Sequence, residues 1–275
     1  MSNTKAPHTP LRVVFCTTPG IYSDLVLQEL IRSPRIRLVG IVHSTRILRK
    51  QGWALVDALQ LIRKTGLRYA AYLWLVTSGY ILLSSLRPNL VRKYLRQQAV
   101  PLHATRDINN PASVSFVRAC APDLLLSAHF NQLIGPELLA LPPQGGLNIH
   151  PGRLPDFRGV EPVLHALAAG ERQLGVSVHR LDTQFDTGRV LAATDLVVQP
   201  GESLAMLSCR LFRAGAQLVL QQTAADGVLP DGTPQQSGGR YDSWPSPELV
   251  GRLRKNGLKL ASLLDVLAMW RPDSL

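Results

Sequence analysis

Cysteine is scarce in this 275-residue chain. Cys16, Cys120 and Cys209 stand far apart and odd in number, which speaks against a disulfide framework or a zinc cluster and makes a reducing cytoplasm the default. Acidic residues are also short: 19 Asp and Glu face 30 Lys and Arg, for a formal net charge of +11 and a sequence pI of about 10.1. Such an excess attracts phosphate on nucleotides, RNA or lipids without choosing among them. No aromatic-rich RNA-recognition motif accompanies the cations, so no stable nucleic-acid partner is expected, and a solvated basic surface is the plain alternative. Apolar residues are few at the start: Met1 to Pro10 is polar, holds two prolines and reads as a loose tail, not a secretory signal. The glycine fingerprint of dinucleotide-binding folds is absent, so no nicotinamide cofactor is inferred.

What is present is the composition of a folded protein, 45% apolar and 18% charged, and enough chain for one large α/β domain with a small appendage. Leu11 to Cys16 is a short apolar run suited to a buried parallel strand, followed by the turn Thr17-Thr18-Pro19-Gly20. Ser23 or Asp24 is then placed to cap a helix through Leu30. Strand, turn and helix begin a Rossmann-like unit. Further strands are expected over Ile36–Val42, Gln98–His103, Asp123–Ala128, Gly175–Leu181 and Arg189–Val198. Helices are expected over Ala54–Thr65, with Leu55, Leu59 and Ile62 as its apolar stripe, after Asn110, from Pro136 to Leu141, from Val163 to Gly170, and from Ser203 to Asp226-Gly227. The basic cluster Arg46, Arg49 and Lys50 reads as solvated loop charge or as a contact for an acceptor's phosphate.

Tyr69 to Leu86 is unusual: 18 residues without a charge, with Arg63, Lys64 and Arg68 before and Arg87, Arg92 and Lys93 after. A span needs ~20 mostly apolar residues, and a crossing here would divide one sheet between two sides of a bilayer. One reading is a buried or partner-covered helix pair, a homodimer included, broken at Thr77, Ser78 and Gly79. The other is an element lying on a membrane surface, with Tyr69, Tyr72, Trp74 and Tyr80 at the interface and the cations on anionic lipid.

The chain points to Gly145–Gly159. Leu147 and Ile149 alternate with Asn148 and His150, so in a strand the amide and the imidazole share a face. Pro151 and Gly152 then end the strand, which leaves both polar groups where open α/β sheets bind ligands. A metal reading of His150, His165 and His179 is poor, because no ligand spacing is matched and no cysteine joins them.

Asn148, His150, Pro151, Leu154, Pro155, Arg158 and Gly159 resemble, in order, the signature of the 10-formyltetrahydrofolate-dependent formyltransferases, the group that includes the glycinamide ribonucleotide and methionyl-tRNA enzymes. Gly152 and Arg153 depart from it, standing where Ser and Leu are usual. Composition and apolar spacing set off a tail (1–10), an apolar helical insertion (67–97) and, at 228–275, a linker with a small basic helical C-terminal extension. The resemblance, which runs from about Leu11 to Gly227, implies that 11–227 is a catalytic domain of α/β fold, with a Rossmann-like, doubly wound, mainly parallel sheet. It implies catalytic roles for Asn148, His150 and Asp186, the last being the Asp two before a Gly in Asp182-Thr-Gln-Phe-Asp186-Thr-Gly188. It implies a folate pocket at His129, Phe130, Asn131, Leu133 and Ile134, and acceptor contacts at Thr17, Thr18, Gly20, Arg158 and His179.

The implied chemistry is formyl transfer through a tetrahedral carbon, with Asn148 and an imidazolium at His150 holding the oxyanion and Asp186 raising the imidazole pKa and relaying a proton. No metal is called for. The expected acceptor is a small, phosphate-bearing amine, a nucleotide-linked amino sugar first. A hydroxylated amine of siderophore assembly, glycinamide ribonucleotide and methionyl-tRNA stand behind it, the last disfavoured because the C-terminal piece is too short for a tRNA-holding barrel. Hydrolysis of the formyl folate, or a non-catalytic module that binds anionic lipid or nucleic acid, are the other readings. The expected location is cytoplasmic, or peripheral at the inner membrane face.

Overall fold

Period-two alternation in the first strand sorts its side chains to two faces, and both faces are buried. The computed structural model describes residues 9–50, 53–223, 228–236 and 238–270. In β1 (Leu11–Thr17), Val13 and Phe15 enter one hydrophobic core while Val14 and Cys16 enter another. The chain continues through α1 (Ile21–Arg32), β2 (Ile36–Ser44) and α2 (Ala54–Thr65). One long helix follows as α3 (Leu67–Trp74), a π turn (Leu75–Gly79) and α4 (Tyr80–Ser85), and then α5 (Leu90–Gln97). Next come β3 (Leu102–Thr105), α6 (Pro111–Cys120), β4 (Leu124–Ala128), α7 (Pro136–Leu139) and β5 (Gly146–His150). The remainder is β6 (Arg158–Gly159), α8 (Pro162–Ala169), β7 (Gln173–Arg180), β8 (Val190–Val197), α9 (Leu204–Gln222), β9 (Tyr241–Asp242), α10 (Pro247–Lys255) and α11 (Leu263–Trp270).

The seven-stranded sheet has the order β3-β2-β1-β4-β5-β7-β8, parallel as far as β5 and antiparallel beyond it. This is the expected Rossmann-like α/β fold. Strand order reverses between β1 and β4, so the crevice at their carboxyl ends is where such sheets receive ligands. All three cysteines are buried and free.

Several local expectations change. Helix α1 begins after Gly20, whose amide donates to Ser23 Oγ at 2.9 Å; Ser23 therefore caps from inside the first turn. The third strand begins at Leu102, not at Gln98, because α5 runs to Gln97. Helix α2 keeps its bounds but presents the opposite face. Leu55 and Leu59 are exposed, whereas Asp57 is buried with Arg49 at 2.7 Å and Arg106 at 2.5 Å, so an ion-pair cluster, not the leucine stripe, faces the protein. The end of α9 expected at Asp226-Gly227 lies outside the described residues.

The uncharged stretch is a helix without the break expected at Thr77–Gly79: the π turn carries it through, with Thr77 Oγ1 donating to the Leu73 carbonyl at 2.6 Å. The bend of 71° comes later, between Ser85 and Leu90. Tyr69, Tyr72 and Tyr80 do not face outward; together with Val76 they are buried against the α1 side of the sheet. Burial of large apolar side chains is worth about 1.5–3 kcal/mol each, which ties this helix to the core. Among the described residues no single helix is long and apolar enough to cross a membrane.

Candidate active site

Ser127 and Asn148 stand opposite each other on β4 and β5, and the Ser127 hydroxyl donates to Asn148 Oδ1 at 2.7 Å. That bond turns the Asn148 amide nitrogen toward β7, 3.1 Å from Nε2 of His179. Nε2 can accept only as a bare nitrogen, so the His179 proton sits on Nδ1, which donates to the Arg180 carbonyl at 2.8 Å. Asp186 completes the cluster: one carboxylate oxygen lies 3.5 Å from His150 Nδ1 and 3.5 Å from His179 Nε2, and the other accepts the Gly159 amide at 2.9 Å. The resemblance-based trio Asn148, His150 and Asp186 therefore meets in space, and His179 lies inside the same cluster.

The titratable members are buried, His150 being 4% exposed, His179 1% and Asp186 8%, while Asn148 is half-buried. Burial pushes the Asp186 carboxyl upward, but His150 and His179 in their protonated forms, together with the Gly159 amide, outweigh it and hold the carboxyl well below the usual carboxylate range. For His150, burial dominates and lowers the imidazole below its ordinary value. Asp186 pulls it back up, His179 pushes it further down, and the Phe157 carbonyl raises it slightly. Asp186 thus raises this imidazole as expected, but desolvation outweighs it and the net shift is downward, so the resting imidazolium expected at His150 is disfavoured. Its Nε2–H donates to the Phe157 carbonyl at 2.8 Å, which leaves Nδ1 as the basic atom facing Asp186.

The 129–134 loop is wired in place at the carboxyl ends of β2, β3 and β4. Asn131 bonds Ser44 and the Arg46 carbonyl, and Gln132 bonds Arg46, Ser44 and the Ile108 amide. Ile134 is buried in the α6 side of the core. Phe130 and Leu133 are half-buried. His129 is pinned to the Thr18 carbonyl at 3.1 Å and packs edge-on to Tyr22, a structural role for its ring.

Of the expected acceptor contacts, Thr17 is fully buried and donates to the Ala128 carbonyl, whereas the buried Thr18 hydroxyl has no partner. Gly20 lies directly under the π turn, where a β-carbon would stand 2.5 Å from the Val76 carbonyl oxygen. Arg158 spends its guanidinium on the Pro155 and Gly238 carbonyls. The cluster expected to meet a phosphate is engaged within the protein: Arg46 with Gln132 and Asp107, Arg49 with Asp57, and Lys50 with Asp107 at 3.2 Å.

The described residues between 228 and 247 do not run free over the surface as a linker would. Thr233 bridges Val190, Gln235 donates to the Asp186 and Gly188 carbonyls at 2.9 and 2.7 Å, and β9 pairs with β6 beside the Gly159 amide. Sequence reading missed Gln235 and β9 because nothing local marks them. Ser127 carried a signal, being the lone hydroxyl in the apolar run Leu124–Ala128.

The Formyl transferase family model matches residues 82–223, just over half of the chain. Methionyl-tRNA formyltransferase of Thermus thermophilus is 36% identical over 158 residues, which cover 58% of this chain and 51% of that one. The chain thus spans about half the length of the curated relatives it matches. Among solved structures, glycinamide ribonucleotide transformylase 1 from Symbiobacterium toebii superposes with a TM-score of 0.55 at 18% identity, covering 85% of this chain and 99% of that one. A sugar N-formyltransferase from Shewanella sp. FDAARGOS_354 gives 0.52 at 14% identity, covering 85% and 76%. At these identities the structures speak for the fold alone. The matched segment holds the Asn148, His150 and Asp186 cluster, and the chain belongs to the formyl transferase family.

Proposed function

We propose that this chain transfers a formyl group from 10-formyltetrahydrofolate to the amine of a small acceptor, first among them a nucleotide-linked amino sugar. The observation that carries the reading is Asp186 Oδ1, held 3.5 Å from His150 Nδ1 at the carboxyl end of β5. The residues fit a folate donor: the 129–134 loop offers Phe130, Leu133 and preorganised backbone groups, and the unpartnered Thr18 hydroxyl lies beside it. When bound, the donor supplies an activated formyl carbon on nitrogen.

Asn148 keeps one amide hydrogen beyond the one shared with His179, and it stabilises the oxygen that gains charge as the amine attacks. One such donor is typically worth ~3 kcal/mol of barrier. His150 takes the amine's proton at Nδ1 while the ionised Asp186 pairs with the imidazolium across 3.5 Å, directly or through one water, and the proton is then returned to the donor nitrogen as its bond to the formyl carbon breaks. Because Nε2 is occupied by Phe157, His150 acts as the proton carrier and Asn148 as the oxyanion donor. No nucleophilic Ser or Cys is needed.

The small acceptor is supported by the π turn seated on Gly20, which narrows the approach beside the β1 loop. The test is incubation of the purified protein with 10-formyltetrahydrofolate and a panel: amino-sugar nucleotides, a hydroxylated ornithine, glycinamide ribonucleotide, methionyl-tRNA and no acceptor. Tetrahydrofolate formation and mass spectrometry of the acceptor are read together. Formylated amino-sugar nucleotide supports the proposal. Formate release without any acceptor makes the protein a hydrolase, and transfer to methionyl-tRNA alone overturns the acceptor class.

A further inference from the structure

The long helix Leu67–Ser85 has two apolar sides and only one of them is used. Tyr69, Tyr72, Val76 and Tyr80 face the core, while Leu67, Ala71, Trp74, Ser78, Ile81 and Leu82 make an outward stripe at helical spacing without a charge. The stripe is not isolated. Among the described residues, 13 of the 18 exposed large apolar side chains fall on residues 53–90 and 263–267. They belong to neighbouring helices, with α2 against α3 and α11 against α4. Leu86 (70% exposed), Leu264 (75%) and Leu267 (61%) extend the face beyond the stripe. A soluble surface scatters such residues; a contiguous field of them marks an interaction site.

Charge says what kind. Between Thr45 and Arg106 lie 11 of the 30 cations and one of the 19 acids, so +10 of the net +11 belongs to this segment. The single acid, Asp57, is buried and already paired with Arg49 and Arg106. Of the other nine cations, Arg46 and Lys50 pair with Asp107 and Arg92 is half-buried against Ser84, while six exposed ones gather at the ends of the stripe: Arg63, Lys64 and Arg68 at one, Arg87, Lys93 and Arg96 at the other. Two copies of the chain meeting through this face would press like charges together. An acidic, fluid, apolar surface satisfies both features at once: leucines and Trp74 enter the acyl boundary by ~5–10 Å while the cations stay among anionic headgroups.

We propose that α3, α4 and α11 form a docking face for an anionic lipid membrane, on which the long helix lies in the plane of the bilayer and does not cross it. Crossing would require the four core-facing side chains to leave the sheet. The inner side of the same helix seats its π turn on Gly20, so the bilayer lies one helix diameter, about 10 Å, above the β1 loop. The proposal stands apart from the chemistry assigned to the cleft, since it rests on the opposite side of the helix.

The test is flotation of the full chain with phosphatidylcholine vesicles, with or without phosphatidylglycerol. The variants are Leu82→Ser/Leu86→Ser/Leu264→Ser/Leu267→Ser, all outward positions, and Arg68→Gln/Lys93→Gln. The expected result is binding that needs phosphatidylglycerol, weakens in high salt, and drops at least ~10-fold in each variant while the thermal midpoint is kept. Failure of the wild type to float with phosphatidylglycerol, or equal flotation of the four-serine variant, overturns the proposal. So does a stable wild-type dimer that the four-serine change splits to monomers with no lipid binding by either, which would show a second copy as the occupant.

Discussion

The His150 imidazole lies over Gly152, and a β-carbon at that glycine would stand 2.7 Å from His150 Nε2 and 2.9 Å from the Phe157 carbonyl oxygen. The glycine that departs from the usual signature is therefore what lets the ring settle on Phe157.

Restoring the usual residue should do harm. Gly152→Ser is expected to cost ~1–3 kcal/mol of stability through overpacking and to displace the imidazole. Thermal denaturation and steady-state kinetics check this together. An unchanged midpoint with unchanged turnover would mean that the ring has another resting place.

Acid should weaken the fold in two windows. A buried imidazole held below its ordinary value binds fewer protons than the unfolded chain, so the contribution of His150 is complete above the usual histidine value near 6.5 and is lost as pH falls below it. The depressed Asp186 contributes above the usual value of 3.8 and is lost as pH falls through its lower folded value. Urea unfolding from pH 8 to pH 2 should show His150→Gln flattening the upper window and Asp186→Asn the lower one. Activity should follow the upper group, with the acid limb of kcat/KM lying below 6.5.

Tyr69 offers a test of the insertion. Its hydroxyl donates to Glu161 Oε2 at 2.6 Å, and burial raises the Glu161 carboxyl pKa despite that bond. Tyr69→Phe removes the donor and leaves the carboxylate wanting, at about 1–3 kcal/mol; Tyr69→Phe/Glu161→Gln should recover part of it. Chemical denaturation measures both, and a harmless Tyr69→Phe would show that solvent already satisfies Glu161.

Gln235 grips the backbone on either side of Thr187. Gln235→Ala should lower kcat several-fold through looser placement of Asp186, with little change in the donor's KM. Equal loss in kcat and in KM would assign it to ligand binding instead.

What was legible in the sequence follows from short range. Asn148 and His150 share a face because a strand alternates, and Pro151 ends it; both relations are local. Asp186 was reached through a resemblance, since an acidic turn before glycine says little alone. Helix α2 shows the limit: its leucine stripe has the right period, yet the buried face is chosen by Asp57, because Arg49 and Arg106 converge on it from outside the helix. The tyrosines of the uncharged helix mislead in the same way, because both of its faces are apolar and periodicity cannot say which one meets α1. Gln235 and β9 were hidden for another reason: their partners lie 47 or more residues away and are backbone groups without side-chain identity.

The most direct test of the central claim is the single-turnover rate of formyl transfer in Asn148→Ala, His150→Ala and Asp186→Ala, with folding verified for each. The account predicts a fall of at least ~100-fold in every one, as expected for an oxyanion donor, a proton carrier and the carboxylate that pairs with it. Transfer by His150→Ala at a near wild-type rate would contradict it.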